Sequence, residues 1–282
     1  MRRFVSRLIV IAALSLAIGA AVTVTVGLRN ARADPVVRRA TIALPDWPEG
    51  APPVQVALLS DIHFGGLVMD RGRLDRIVAQ VTALRPDLIV IAGDFINGHD
   101  PATARASRRA LGASLARLGA PLGVVAVAGN HDHWTDMGAV RGALSAGGVT
   151  LLSNAATARG PLAIGGVDDE HTHHANLTAT TAAMRRLPGA RVLLSHTPDI
   201  VAGLPADVTL ALVGHTHCGQ VVLPVIGPPV MPTRSGKRYI CGMVRDGARR
   251  TVVTAGLGTS GLPVRLGAPP DLWLLTLGPS AR

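Results

Sequence analysis

Aromatic side chains are nearly missing from this chain of 282 residues, which has three Phe, three Trp and one Tyr. Single-stranded nucleic acid is usually held on aromatic platforms, so this composition argues against such a binder. Cysteine is also scarce. Cys218 and Cys241 are the only two, too few for a disulfide framework, and they leave a single bridge open either way. Acidic residues are in the minority, 18 against 28 Lys and Arg, for a net charge of +10. An acidic partner is the first thought, and the distribution weakens it. Residues 1–40 hold Arg2, Arg3, Arg7, Arg29, Arg32, Arg38 and Arg39 against Asp34 alone. The remainder is nearly balanced, so the excess sits beside the N-terminal segment and fits a membrane surface better than a DNA groove. Duplex binding needs no aromatics, so a nuclease stays an alternative, but nucleic acid is not the expected partner.

Glycine and proline are plentiful, 32 and 20 residues, and predict many loops. The length suits one sizeable core or at most two small ones. Leu8 to Leu28 reads "LIVIAALSLAIGAAVTVTVGL", without a charge and about as long as a bilayer span requires. An uncleaved anchor through residues 8–28 is favoured. A cleaved export signal is the alternative, with Ala31-Arg32-Ala33 as the candidate site. Arginines flank both ends of the run. The short, arginine-bearing N-terminus favours N-in, which places the folded part on the periplasmic side of a bacterial inner membrane.

The organisation reads as an anchor or signal over 1–33, a linker over 34–53 and a catalytic domain over 54–282. Five prolines mark the linker, with at most a short strand over 40–44. Beyond it the chain alternates. "VQVALLS", "DLIVIAG" and "GVVAVAG" read as buried strands. Leu74, Ile77, Val78, Val81 and Leu84 fall on one helical face, and Pro86 stops that helix. An Ala/Arg-rich helix precedes 123–129, and further helices are expected over 136–146 and 176–187. Later strands are expected over 149–153, 162–167, 191–195, 208–214, 250–256 and 272–277. This order predicts a layered α/β sandwich.

The residues just after each strand carry the chemistry. Asp61 and His63 come after the first, Asp94 after the next, and Asn130, His131 and Asp132 after the third. His196 comes after the strand over 191–195, and His215 and His217 after the one over 208–214. In α/β folds the carboxyl ends of neighbouring strands meet at one crevice. Imidazoles and carboxylates gathered there suit divalent transition metals, Mn, Fe, Zn or Ni, without thiolate. D-x-H and H-x-H spacings let a looped backbone aim two side chains into one site.

"SDIH", "GD", "GNHD", "SHTPD" and "GHTH", in this order over about residues 54–260, resemble the calcineurin-like metallophosphoesterases. "LLSDIHFG", "GHTHCGQVVLP" and "GLGTSGLPVRLGAPP" are similar to a membrane-anchored bacterial branch related to UDP-2,3-diacylglucosamine pyrophosphatases. The resemblance implies an α/β/β/α sandwich and two divalent metal ions. Asp61, His63 and His217 would bind one ion, Asn130, His196 and His215 the other, with Asp94 bridging. A metal-bound hydroxide would cleave a phosphodiester or pyrophosphate, in a small-molecule or lipid-linked substrate such as UDP-2,3-diacylglucosamine. His131 would face the leaving group as general acid, or stabilise the developing charge, with Asp132 orienting it through its other ring nitrogen. Cys218 stands where the branch often has Gly. A non-catalytic scaffold of the same fold is the alternative from another class.

The remaining histidines read more plainly. His99 and His133 are expected to be structural or solvated. "DDEHTHHAN", with His171, His173 and His174, reads as a polar loop rather than an accessory metal site, with Asp168 as its candidate substrate contact. Arg185, Arg186 and Arg191 read as an exposed basic face. "GLGTSG" lacks the lysine of a P-loop and is expected to pack near the site. Oligomeric state is left open.

Overall fold

The computed structural model describes residues 2–280. An apolar run without proline gives the first element, α1 (Arg2–Arg32). The window Ser6–Arg32 is long and apolar enough to cross a membrane, and none of its most apolar stretch is buried in the protein. Only its end touches the folded part: Ala31 is fully buried.

Two six-stranded sheets make up the folded part. The first has the order β1 (Val36–Leu44), β12 (Asp271–Pro279), β2 (Val54–Leu59), β3 (Leu88–Ala92), β4 (Val124–Val127), β5 (Val149–Leu151). The second has the order β10 (Gly242–Asp246), β11 (Arg249–Val253), β9 (Leu210–Val213), β8 (Ala190–Leu194), β7 (Leu162–Gly166), β6 (Ala155–Arg159). The two-residue period of the strands sorts their side chains between two faces. Ile89 and Ile91 of β3 join one apolar cluster with α2 (Arg71–Ala83), α3 (Pro101–Leu115) and α5 (Met137–Ala146). Leu88, Val90 and Ala92 of the same strand face the second sheet, meeting Ile164, Val192 and Leu212. The far face of that sheet is covered by α6 (Leu177–Arg185) and a 3₁₀ turn over Pro198–Gly203. The expected α/β/β/α sandwich is therefore the fold.

The segment 34–53 is less of a linker than its prolines suggest. β1 is nine residues long and pairs in parallel with β12 along its whole length. Its partner lies more than 230 residues away, and Arg38 and Arg39 interrupt the apolar pattern at a sheet edge where one side of the strand is solvated. The apolar pattern does not announce two further strands, β6 and β10. Both are half-exposed hairpin edges with small or polar residues, and the backbone ladder rather than burial defines them.

β2, β3 and β4 run parallel in the first sheet, and β8 and β9 in the second. All five end at the same edge of the sandwich, where the residues just beyond them meet.

Candidate metal centre

Asp61, His63, Asp94, His215 and His217 all have left-handed backbone, with φ between 49° and 70°. Non-glycine residues seldom adopt it, and such strain persists where surrounding structure enforces it. Here each sharp turn swings a side chain off its strand end toward a common point. The turns are fastened from below. Asp61 N donates to Gly93 O (2.9 Å) and His63 N to Asp94 O (3.0 Å). Gly129 is required by proximity: a Cβ there would lie 2.3 Å from Asp94 Oδ1.

The ligand atoms form two adjoining nests, both fully or nearly fully buried. In one, His63 Nε2 and His217 Nε2 are 3.2 Å apart. Asp61 Oδ1 lies 3.4 Å from His217 Nε2 and 4.0 Å from His63 Nε2, and has no hydrogen-bond donor. In the other, His196 Nε2 is 3.0 Å from Asn130 Oδ1 and 3.1 Å from His215 Nδ1. Asp94 Oδ2 stands between the nests, 3.5 Å from His63 Nε2 and 3.3 Å from His196 Nε2.

These atoms fit a cation. His196 Nδ1 is 2.7 Å from the carbonyl of Ala92 and must donate to it, which turns the Nε2 lone pair toward Asn130 and Asp94. Acceptors that face each other in a buried space need positive charge between them. The titration directions agree. Burial pushes His63 and His215 down to about 3 and His217 well below its usual range, which favours the neutral rings able to offer a lone pair. Burial also pushes His196 down and Asp94 up, but their mutual attraction outweighs it. His196 ends well above and Asp94 well below its ordinary value.

His131 stands at the edge of this group. Its Nδ1 donates to Gly98 O (2.8 Å), leaving Nε2 directed at Ser260 Oγ (3.2 Å) and the cavity. The expectation that Asp132 orients His131 is corrected. Asp132 accepts from four backbone amides instead: Gly129 (2.9 Å), Asp94 (3.0 Å), Phe95 (2.8 Å) and Ile96 (3.3 Å). Its carboxylate ties the loop after β3 to the start of the short helix α4 (Asn130–Trp134), and so sets both Asp94 and His131. The His131 ring is held by a carbonyl.

Asp168 is also elsewhere than expected. It does not line the cavity. Its oxygens take His133 Nε2 (2.7 Å), Ser153 Oγ and Asp169 N (2.8 Å), so it fastens α4 to the loop after β7. His133 is structural, as expected. His99 is exposed, as the solvated reading expects. With Trp134 and His171 it lines a cavity of about 660 Å³ above the ligands, and the His99 ring lies 5.1 Å from that of His131. Ser260 and Gly261 place the 256–261 loop beside the site, as expected. Arg185 pairs with Asp207 and Arg191 with Asp46 on the surface.

Two features are not apparent from the sequence. Cys218 and Cys241 form a disulfide directly after His217. Arg265 is fully buried behind His217, with Nη2 3.2 Å from its Nδ1. It donates to the carbonyls of Ala255 (2.7 Å), Gly258 (2.7 Å) and Ala268 (3.1 Å). Burial lowers its pKa to about 10, so it stays charged and pins the segment between β11 and β12 against His217. A lone arginine in the apolar "GLPVRLGAPP" is the one signal of it in the chain.

The family model of calcineurin-like phosphoesterases matches residues 54–219. The uncharacterized metallophosphoesterase YkuE of Bacillus subtilis is 32% identical over 238 residues, which cover 82% of this chain and 81% of YkuE. The phosphodiesterase YaeI of Escherichia coli is 30% identical, over 81% of this chain and 84% of its own. A Danio rerio transmembrane protein with metallophosphoesterase domain is 30% identical over 91% of this chain, which spans 60% of that protein. Among solved structures, the NAD nucleotidase of Haemophilus influenzae superposes with a TM-score of 0.50. It is 14% identical and covers 73% of this chain and 46% of its own, a likeness of fold alone.

Proposed function

Because the chain belongs to the calcineurin-like phosphoesterase family, and is thus a metal-dependent hydrolase of phosphoester bonds, we propose that it is a dinuclear phosphodiesterase or pyrophosphatase anchored in a membrane by α1. The observation that carries this reading is Asp94 Oδ2, which stands at nearly equal distance from both nests. Asp61, His63 and His217 would hold one ion, Asn130, His196 and His215 the other, and Asp94 would serve both. When bound, the ions supply Lewis acidity toward the phosphoryl oxygens and acidify water. The chain's own residues do the rest. His131, with Nδ1–H held by Gly98 O, presents Nε2 to the cavity, where in the protonated ring it gives a proton to the departing oxygen. Trp134 and His171 form part of one wall of the cavity.

The anchor favours a substrate from the membrane or its surface, lipid-linked or of the cell envelope. The disulfide supports the N-in orientation, because such bonds persist in oxidising compartments outside the cytoplasm. The same point speaks against UDP-2,3-diacylglucosamine, a pyrophosphate of the cytoplasmic side. It remains the family-based candidate to test.

The test uses the full chain in detergent, stripped and reloaded with Mn. Two ions per chain should bind, and bis-p-nitrophenyl phosphate should be cleaved faster than the monoester, with UDP-2,3-diacylglucosamine assayed beside them. Asp94→Asn should lose metal and activity together. His131→Ala should keep metal and lose roughly 10²–10⁴-fold in rate. One ion per chain, or an unchanged rate in His131→Ala, contradicts the reading.

A further inference from the structure

Between Cys218 and Arg234 the chain carries no charged residue: "GQVVLPVIGPPVMPT". A soluble surface loop of this composition would be unusual, because its apolar side chains are not buried. Val225 is fully exposed, Ile226 69% and Val230 66%. Leu262, beside them on the neighbouring loop, is 66% exposed. Contiguous apolar surface of this kind marks a surface that meets another apolar phase. The loop is not free to fold away. The Cys218–Cys241 disulfide closes its two ends, and Val222 N donates to Leu266 O (2.8 Å).

The position of this patch relative to α1 says what covers it. Residues 8–28 form about 30 Å of helix at 1.5 Å per residue, the thickness of a hydrocarbon core. Gly27 lies in the last turn of that stretch. It is already against the protein: Arg265 N donates to Gly27 O (2.9 Å), and a Cβ on Gly27 would touch Val264 Cβ at 2.9 Å. Asn30 Nδ2 reaches Arg265 O, and Arg32 pairs with Asp70. The segment 262–266 therefore sits where the apolar helix ends, and the 221–231 loop is hydrogen-bonded to that segment. Arg29, Arg32 and Lys237 stand nearby in sequence, the residue types that border a bilayer.

We propose that the loop over 223–231, together with Leu262, is seated in the bilayer beside the emerging α1, so that the cavity opens at the membrane surface. Val221, Pro229, Val230 and Leu262 line the cavity as well as belonging to this patch and its base. One wall thus leads to the metal centre and the other to the lipid. The class of substrate that fits both is a phosphoester with an apolar tail, which enters from the bilayer with its phosphate toward Asp94 and His131. The proposal rests on reading α1 as an anchor and the site as a phosphohydrolase.

The full chain, reconstituted into phosphatidylcholine–phosphatidylglycerol vesicles, tests it. Tryptophan is introduced as Val225→Trp or, on the exposed far end of α3, as Ala113→Trp, and the unaltered chain sets the background. Lipids brominated in the acyl chain should quench the added fluorescence of Val225→Trp and leave that of Ala113→Trp unchanged. Equal quenching of the two overturns the proposal. The double variant Val225→Asp/Ile226→Asp should lose about tenfold or more in hydrolysis of a long-chain phosphodiester in the vesicles, because two apolar contacts with the bilayer are removed. Its rate on bis-p-nitrophenyl phosphate should not change. A loss on both substrates, or on neither, counts against the proposal. If the unaltered chain fails to float with the vesicles, the anchor reading fails and the proposal with it. If it floats but hydrolyses neither substrate, only the phosphohydrolase reading falls, and the quenching still decides the loop.

Discussion

Two parts of the molecule are rich in histidine, and they behave differently. His63, His196, His215 and His217 are buried at strand ends, all but His196 on left-handed turns, and their inward ring nitrogens lie within a few ångströms of one another. His171, His173 and His174 lie on an exposed loop a short distance away. There the rings serve the surface. His174 stacks on His133 with centroids 4.0 Å apart and meets Thr172, while His171 leans over the cavity toward His215. Among the described residues, none of the clustered donor groups able to hold a metal includes these three. Density of histidine is thus a poor guide to a metal site. What sets the first group apart is burial and turns that bring several ring nitrogens and carboxylate oxygens together, with His196 further fixed by the carbonyl of Ala92.

That contrast can be broken most severely from behind. Arg265→Met should lower metal affinity roughly 10–100-fold, as loss of an outer support does, although Arg265 lies buried behind His217. Titration of the stripped chain with Mn checks this, and unchanged affinity would reduce Arg265 to a packing residue.

A middle-sized effect is expected at the junction of the two regions. Asp168→Asn removes the partner of His133 and should destabilise the fold by about 2 kcal/mol, with metal content kept. The pH dependence identifies the cause. Burial would raise the Asp168 pKa, but hydrogen bonds from His133 and Ser153 outweigh it and hold it at about 2. The hydrogen bond to Asp168, opposed by burial, raises His133 above its usual 6.5. The depressed acid stabilises above about pH 4 and loses its effect as pH falls toward 2. The raised base stabilises fully below about 6.5 and loses its effect as pH rises through its folded value. The gap between parent and variant in thermal unfolding should therefore be widest between about pH 4 and 6.5. A gap that is flat with pH would exclude the ion pair.

The smallest effect belongs to the exposed loop. His173→Ala should change stability by no more than about 0.5 kcal/mol and leave bound Mn unaltered. A lost ion would show that the loop is a ligand after all.

Much of the centre is legible in the chain because its pieces are local. Each ligand directly follows a short apolar strand, and parallel strands deliver their carboxyl ends to one edge. The strand and helix periods are therefore enough to gather Asp61, His63, Asp94, Asn130, His196, His215 and His217. The supports are not legible, for the opposite reason. Sequence order pairs Asp132 with the residue before it, but its carboxylate is turned to amides up to 38 positions away. Asp168 looks free beside a polar loop, but folding brings His133 and Ser153 to it. β1 finds its ladder on β12 at the other end of the chain.

The order of apolar runs and the residues that end them determined the fold class and which side chains gather at one edge, because periodicity and strand-end chemistry are short-range properties. Only the tertiary structure decided which nitrogen of His131 faces the cavity, what holds Arg265, and that the 264–266 segment packs against the end of α1. Those depend on contacts between segments far apart in the chain, formed only when both sheets have closed over their shared core.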